Sequence, residues 1–146
     1  MHKTKSDIFI QGPIPATVIA DTITKHGSRT DIGAHSLFLG QIRADEVAGK
    51  TVRSIEYTNN KELALQQMDS IRSQIFAKYD LSCMHVYHSE GIVHAGEICF
   101  FVFTSSTRRK AAMNASQELV ERIKSELPIW GREIFEDESH QWKINN

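Results

Sequence analysis

A chain of 146 residues with 40% apolar and 24% charged side chains is long enough for one domain with a real core, too short for two, and has the composition of a folded soluble protein. Seventeen basic against eighteen acidic residues leave a formal net charge of -1, so bulk charge offers nothing for nucleic acid and any anion site has to be a local patch. Cys83 and Cys99 have neither CxxC spacing nor the density of a disulfide scaffold, no apolar run approaches the ~20 residues of a membrane span, and no signal-peptide pattern opens the chain; the expectation is a reducing, cytoplasmic setting with no membrane.

After a polar lead-in at 1–6, residues 7–11 (DIFIQ) read as a short strand and Gly12-Pro13-Ile14-Pro15 as a turn that puts proline at a first helical position. Residues 16–26 predict a short helix with Val18, Ile19 and Ile23 near one face and Gly27 as its stop. Residues 33–43 (GAHSLFLGQIR) are strand-like, with Gly40 marking a bulge or a close backbone approach. Residues 44–50 read as a loop and 51–57 as a returning strand, either hairpinned to the previous one or separated from it. Over 60–78, Ala64, Leu65, Met68, Ile71, Ile75 and Phe76 follow a helical period, with Lys61, Glu62, Gln66, Asp69 and Arg72 on the wet face.

Residues 80–88 predict another strand, followed by a connection bracketed by Gly91 and Gly96. The run Ile98 to Phe103 is too continuous for a strand with one wet face, so it is expected to be central or covered on both sides, and antiparallel to its predecessor. Thr104 to Thr107 read as a polar turn whose hydroxyls cap the next helix, with Arg108, Arg109 and Lys110 crowding its first turn. Cations are misplaced at that end of a helix dipole, so the cluster points to an anionic partner. The helix buries Ala112, Ala115, Leu119, Val120 and Ile123, and Pro128 ends it near Leu127. Residues 129–135 read as extended, 136–140 as a turn and 141–144 as a last strand. The order β-α-β-β-α-β-β-α-β-β, with antiparallel strand pairs between helices, predicts an α+β sandwich forming a single domain over 1–146 rather than a doubly wound parallel sheet.

Seven histidines invite a metal reading, and His85, His88 and His94 come closest to ligand spacing. Residues three apart on a strand face opposite sides, however, and no cysteine-rich or carboxylate-rich partner accompanies them, so no metal is expected. A phosphate-binding glycine loop and the usual nucleophile motifs are missing, no resident cofactor is expected, and the cysteines read as small buried hydrophobes. Lys124, four residues after Val120, flanks the apolar stripe of its helix. It is either a surface lysine that complements the helix C-terminus or a pocket lysine that binds an anion or acts as a base. Trp130 is either a core aromatic or the wall of such a pocket.

Several pieces in order resemble the MoaE family, the large subunit of molybdopterin synthase. They are Phe38-Leu39-Gly40-Gln41-Ile42-Arg43, Ile55-Glu56, His88 with Gly91, Gly96-Glu97, Thr104-Ser105-Ser106-Thr107-Arg108, and the run from Lys124 through Pro128-Ile129-Trp130-Gly131-Arg132-Glu133, closed by Trp142. The resemblance implies an α/β hammerhead subunit with antiparallel sheets and about three helices. It implies a homodimer that binds a small ubiquitin-like sulfur-carrier subunit (MoaD-like) at each end, forming a heterotetramer. The carrier's thiocarboxylated tail would deliver two sulfurs in succession to cyclic pyranopterin monophosphate, giving the dithiolene of molybdopterin. By the same resemblance Lys124 is the principal catalytic residue, and Arg43 and Arg108 hold the substrate's anionic part. The family's second lysine is Gly131 here, which leaves Arg132 and Lys143 as candidate substrate-binding cations. Other departures are Thr107, Ser89 and Tyr57-Thr58. The competing expectations are a non-catalytic dimeric scaffold that keeps the carrier surface, and an unrelated phosphometabolite-binding enzyme.

Overall fold

The computed structural model describes residues 7–144, and the lead-in at 1–6 lies outside the described residues. The elements are β1 (Phe9–Gln11), α1 (Ala16–Lys25), β2 (Ala34–Gln41), β3 (Glu46–Val47), β4 (Lys50–Asn59), α2 (Lys61–Lys78), β5 (Cys83–His94), β6 (Ile98–Ser106), α3 (Arg109–Glu126), β7 (Ile129–Phe135) and β8 (His140–Trp142). The strands are ordered β2-β6-β5-β4-β7-β8, with β1 beside β5 and β3 beside β4. Every pairing is antiparallel except that of β1 with β5.

One long strand carries the join between the two halves of this sheet. β5 pairs with β6 over Cys83–His88 and with β4 over Gly91–His94, and between the two Gly91 adopts φ 81, a left-handed conformation that costs glycine least. The apolar run of β6 is covered on both faces, as its continuity requires. On one face Phe100 and Val102 join Met68, Ile71 and Ile75 of α2 and Ala115, Leu119 and Ile123 of α3. On the other, Phe101 and Phe103 are fully buried against Ile14 and the α1 residues Val18 and Ile19. Burial of each such phenylalanine contributes about 1.5–3 kcal/mol.

This is the predicted α+β class with three helices, but its layers differ from the expected sandwich. The two larger helices cover one face of a continuous sheet and α1 covers part of the other. The expected loop at 44–50 contains a small hairpin, β3 to β4, whose turn residues Ala48 and Gly49 both have positive φ (52 and 79), the geometry a two-residue turn needs. β2 and β4 are not partners; β6 and β5 lie between them. The connection expected from Gly91 is strand, because Gly91 bends β5 rather than ending it.

The expected turn at 104–107 is also mostly strand. Thr104, Ser105 and Ser106 are buried at the end of β6, where their hydroxyls bond to Ala112 O (2.7 Å), the His35 ring (2.7 Å) and Asp80 O (2.7 Å). None caps α3: its N-cap is Arg108, which lacks a side-chain cap, and Ser106 Oγ accepts only from the Arg108 N–H. Pro15 occupies the N-cap of α1 rather than its first helical position, and Ile23 is exposed while Thr22 is buried. On α2, Asn60 Oδ1 accepts from Leu63 N–H as N-cap; Phe76 is exposed, and Arg72 turns in to donate to Met84 O at 3.0 Å.

Candidate active site

The bulge foreseen at Gly40 is a register shift between Gly40 and Gln41, after which β2 pairs with β6 only at Gln41 and Ile98. A Cβ on Gly40 would lie 3.1 Å from Phe100 Cβ, so glycine lets the strands approach here. Beyond the shift, Ile42 N–H donates to Glu97 O (3.0 Å) and Gly96 N–H to Ile42 O (2.8 Å), which anchors the chain where Arg43 leaves the sheet. Arg43 stands on the lip of a cleft of about 570 Å³. Tyr57 of β4, His88 of β5 and Cys99 of β6 line it, as do Lys124 from the last turn of α3 and Gly131 and Glu133 of β7. Trp142 and Lys143 close the side at the end of β8.

Three groups in this cleft are held uncharged. The Tyr57 hydroxyl lies 3.6 Å from Cys99 Sγ, and the Cys99 thiol lies 3.5 Å from Gly40 O. The Tyr57 ring meets His88 edge-on with centroids 4.9 Å apart. His88 Nδ1 is 2.8 Å from Ser89 O, which fixes the tautomer with the proton on Nδ1. Burial, seconded by the positive charge of Lys124, pushes His88 down to about 4, so its ring is neutral at physiological pH. Burial pushes the Cys99 thiol up, against the opposing influence of the Tyr57 hydrogen bond and then of Lys124 and Lys143. Burial and the neighbouring Cys99 likewise raise the Tyr57 phenol. Because both lysines act on the same thiol, their charges reach a common part of the cleft.

The five cations singled out in the sequence are divided by this geometry. Arg43, Lys124 and Lys143 line the cleft. Arg43 also pairs with Asp45, at 3.3 Å, while its side chain keeps 79% of its exposure. Arg132 is on the opposite face of β7 from Gly131 and Glu133, as alternation demands, and pairs with its cross-strand neighbour Glu56. Arg108, at the far end of the 18-residue α3, does not line this cleft. Gly131 is closely covered: a Cβ there would lie 3.0 Å from Ile55 Cγ2 and 3.2 Å from Tyr57 Cε1. The backbone of Lys143 donates to Gly131 O at 2.8 Å, which sets a lysine directly beside the glycine.

The sequence model of the family described as MoaE protein matches residues 12–126. The chain belongs to the MoaE family. It is 39% identical over 115 residues to a molybdopterin synthase catalytic subunit of Drosophila grimshawi, an alignment covering 77% of this chain and 32% of that protein. To the protein of the same name in Bacillus subtilis it is 34% identical over 122 residues, covering 84% of this chain and 76% of the relative. The chain thus spans about a third of the length of the fly relative and three quarters of the bacterial one. The fold matches a crystal structure of molybdopterin synthase from Staphylococcus aureus with a TM-score of 0.82 at 25% identity, covering 99% of this chain and 100% of that one.

Within this MoaE chain, the sequence assigned no role to Tyr57, Cys99, Glu133 or Gln141, all of which line the cleft. Glu133 is buried and accepts from Gln141 Nε2 at 3.2 Å. The signal for Glu133 was period two, which it shares with Gly131 on β7; Cys99 breaks that period, because the bulge opposite Gly40 and Gln41 brings it to the side of Phe100 rather than of Phe101. That signal shows a shared face, but it leaves open whether the face meets core or cavity.

Proposed function

We propose that this chain is the catalytic subunit of a molybdopterin synthase, a sulfurtransferase that moves sulfur from the thiocarboxylated tail of a small ubiquitin-like carrier to cyclic pyranopterin monophosphate. The observation that carries the reading is the convergence of Lys124, Lys143 and Arg43 on one cleft lined by uncharged Tyr57, His88 and Cys99. Cations at the rim suit a phosphate and a thiocarboxylate, and a partly apolar interior strengthens their pull. Lys124 is the principal catalytic group, placed to pair with the thiocarboxylate and to move a proton as sulfur replaces oxygen. In net terms each transfer exchanges one substrate oxygen for the carrier's sulfur and leaves the carrier as a carboxylate. Lys143 supplies the second cation that the family places where Gly131 stands here, and Arg43 steadies the phosphate at the lip.

The reading includes a homodimer with a carrier at each end. Leu37 and Leu39 are exposed on β2, an edge strand, which supports pairing through that edge. An 18-residue helix is about 27 Å long, so Arg108 is assigned to the cleft of the second copy rather than to its own. The compartment is cytoplasmic in this proposal; Cys83 and Cys99 are free, and no helix among the described residues is long and apolar enough to cross a membrane. Gly131 favours one other reading, a scaffold that binds the carrier without turning over. Incubating the chain with thiocarboxylated carrier and cyclic pyranopterin monophosphate separates the two: dithiolene product is expected, and carrier binding without product would leave only the scaffold.

A further inference from the structure

We propose that His26, Cys83 and His85 form a binding site for a divalent transition-metal ion of the zinc class, on the face of the sheet opposite the cleft. The inference is independent of the synthase reading. One ligand atom from each residue lies within 4.8 Å of the other two. Cys83 and His85 are two apart on β5 and share a face, while His26 comes from the C-cap of α1.

The second observation is the orientation of His26. Its Nδ1 is 2.6 Å from Thr22 O, so the ring proton is committed to that carbonyl and the Nε2 lone pair points outward. A metal-binding histidine is held in the same way, with its other nitrogen donating to a backbone carbonyl. Into that lone pair come His85 Nε2 at 3.2 Å and Cys83 Sγ at 2.7 Å. Metal–nitrogen bonds of the zinc length set two tetrahedral imidazole nitrogens ~3.3 Å apart, so the two rings already have the required spacing. The sulfur sits closer than a shared ion places it, and a rotation about Cα–Cβ of Cys83, which is half-buried, opens the angle. Two imidazoles and one thiolate suit zinc, cobalt or nickel; calcium and magnesium take oxygen ligands.

Protonation favours the same outcome. Burial, and next the neighbouring His26, push His85 below its ordinary value, so its lone pair is available at neutral pH. Burial raises the Cys83 thiol, opposed by Arg29 and Arg72, so in the metal-free chain the sulfur keeps its proton. Binding forms a metal–sulfur bond and releases that proton to solvent, and the thiolate offsets one of the ion's two charges. A water completes the fourth position. Because the cleft lies on the other side of the sheet, the ion acts as a clip between the end of α1 and β5. Such a clip is useful there, since Thr22 is the one buried residue of α1.

Cobalt(II) titrated into the metal-stripped full chain tests the site. Expected are the visible bands of tetrahedral cobalt and a thiolate-to-cobalt charge-transfer band, saturating at one equivalent, displaced by zinc(II) and accompanied by a higher melting temperature. Cys99→Ser keeps both bands and Cys83→Ser loses the charge-transfer band. Zinc affinity falls in His26→Ala and His85→Ala by more than the ~10–100-fold that losing an outer partner costs, and is unchanged in His94→Ala. No tetrahedral bands from the unmodified chain in excess cobalt, or a charge-transfer band that survives Cys83→Ser, overturns the proposal; the first outcome needs no variant to fold.

Discussion

On one face of β5, His88 is buried beside Tyr57 and Cys99 in the cleft; on the other, three residues earlier, His85 meets His26 and Cys83 beneath the end of α1. Both rings are driven toward neutrality by burial, but to different ends. The lysines near His88 make its surroundings suited to anions, whereas His85 meets other lone pairs, and a cation is what would join them. A histidine in a strand acquires its chemistry from the side it faces, and that side changes with every residue.

The largest expected effect breaks the cleft side. Lys124→Ala should lower single-turnover dithiolene formation ~10²–10⁴-fold, the usual loss on removal of a proton-transfer group, while the melting temperature and the cobalt spectrum of the other face stay put. Near-normal turnover would return Lys124 to a helix-end lysine. Lys143→Ala should show a smaller loss of the same kind.

Acid separates the two histidines next. The His88 value in the fold, about 4, lies below the ordinary 6.5, so the unfolded chain binds the proton first. Its contribution is complete above about pH 6.5, falls as pH drops from there to about 4, and amounts to roughly 3 kcal/mol over that window. Denaturant midpoints at either end of the window should show the loss in the parent chain and much less of it in His88→Gln, whereas His85→Ala should keep most of it. An unchanged pH slope in His88→Gln would mean that the buried ring is not its source.

Gly131→Ala probes how tightly the cleft is packed. Its Cβ would press on Ile55 and Tyr57, and overpacking of this kind costs about 1–3 kcal/mol by thermal or denaturant unfolding. No loss would show that Tyr57 yields readily, and that a longer side chain fits. The smallest effect belongs to Arg132→Ala. Its pair with Glu56 is about a third exposed at either end, so stability should fall by less than ~1 kcal/mol and turnover by less than in Lys143→Ala. A larger turnover loss would place Arg132 in the reaction despite its face.

Much of the fold was legible because its signals are local. The stripe Ala112, Ala115, Leu119, Val120 and Ile123 is buried as the helical period predicts, and Pro128 ends α3 at Leu127. The bulge at Gly40 and the two-sided cover of β6 followed from a single glycine and an unbroken apolar run. The hydroxyls at 104–106 misled, because serine and threonine suit a turn and also the buried end of a strand, and the partners that decide between them, Asp80, Ala112 and His35, are remote in sequence. The cleft was legible in part: the resemblance grouped Arg43, Lys124 and Lys143 as pocket cations, but it did not separate them from Arg132, which faces the other side of β7.

By itself the sequence determined the class, the three helices, the central strand and, through ordered short motifs, the family, because propensity, period and motif spacing act along the chain. Only the tertiary structure decided which cations share a cleft, why Lys143 stands beside Gly131, and that His26, distant in the chain, completes a cluster with Cys83 and His85. Those outcomes rest on the strand order β2-β6-β5-β4-β7-β8 and on where α1 docks. Both are fixed by burial and register summed over the whole molecule, which no window of sequence contains.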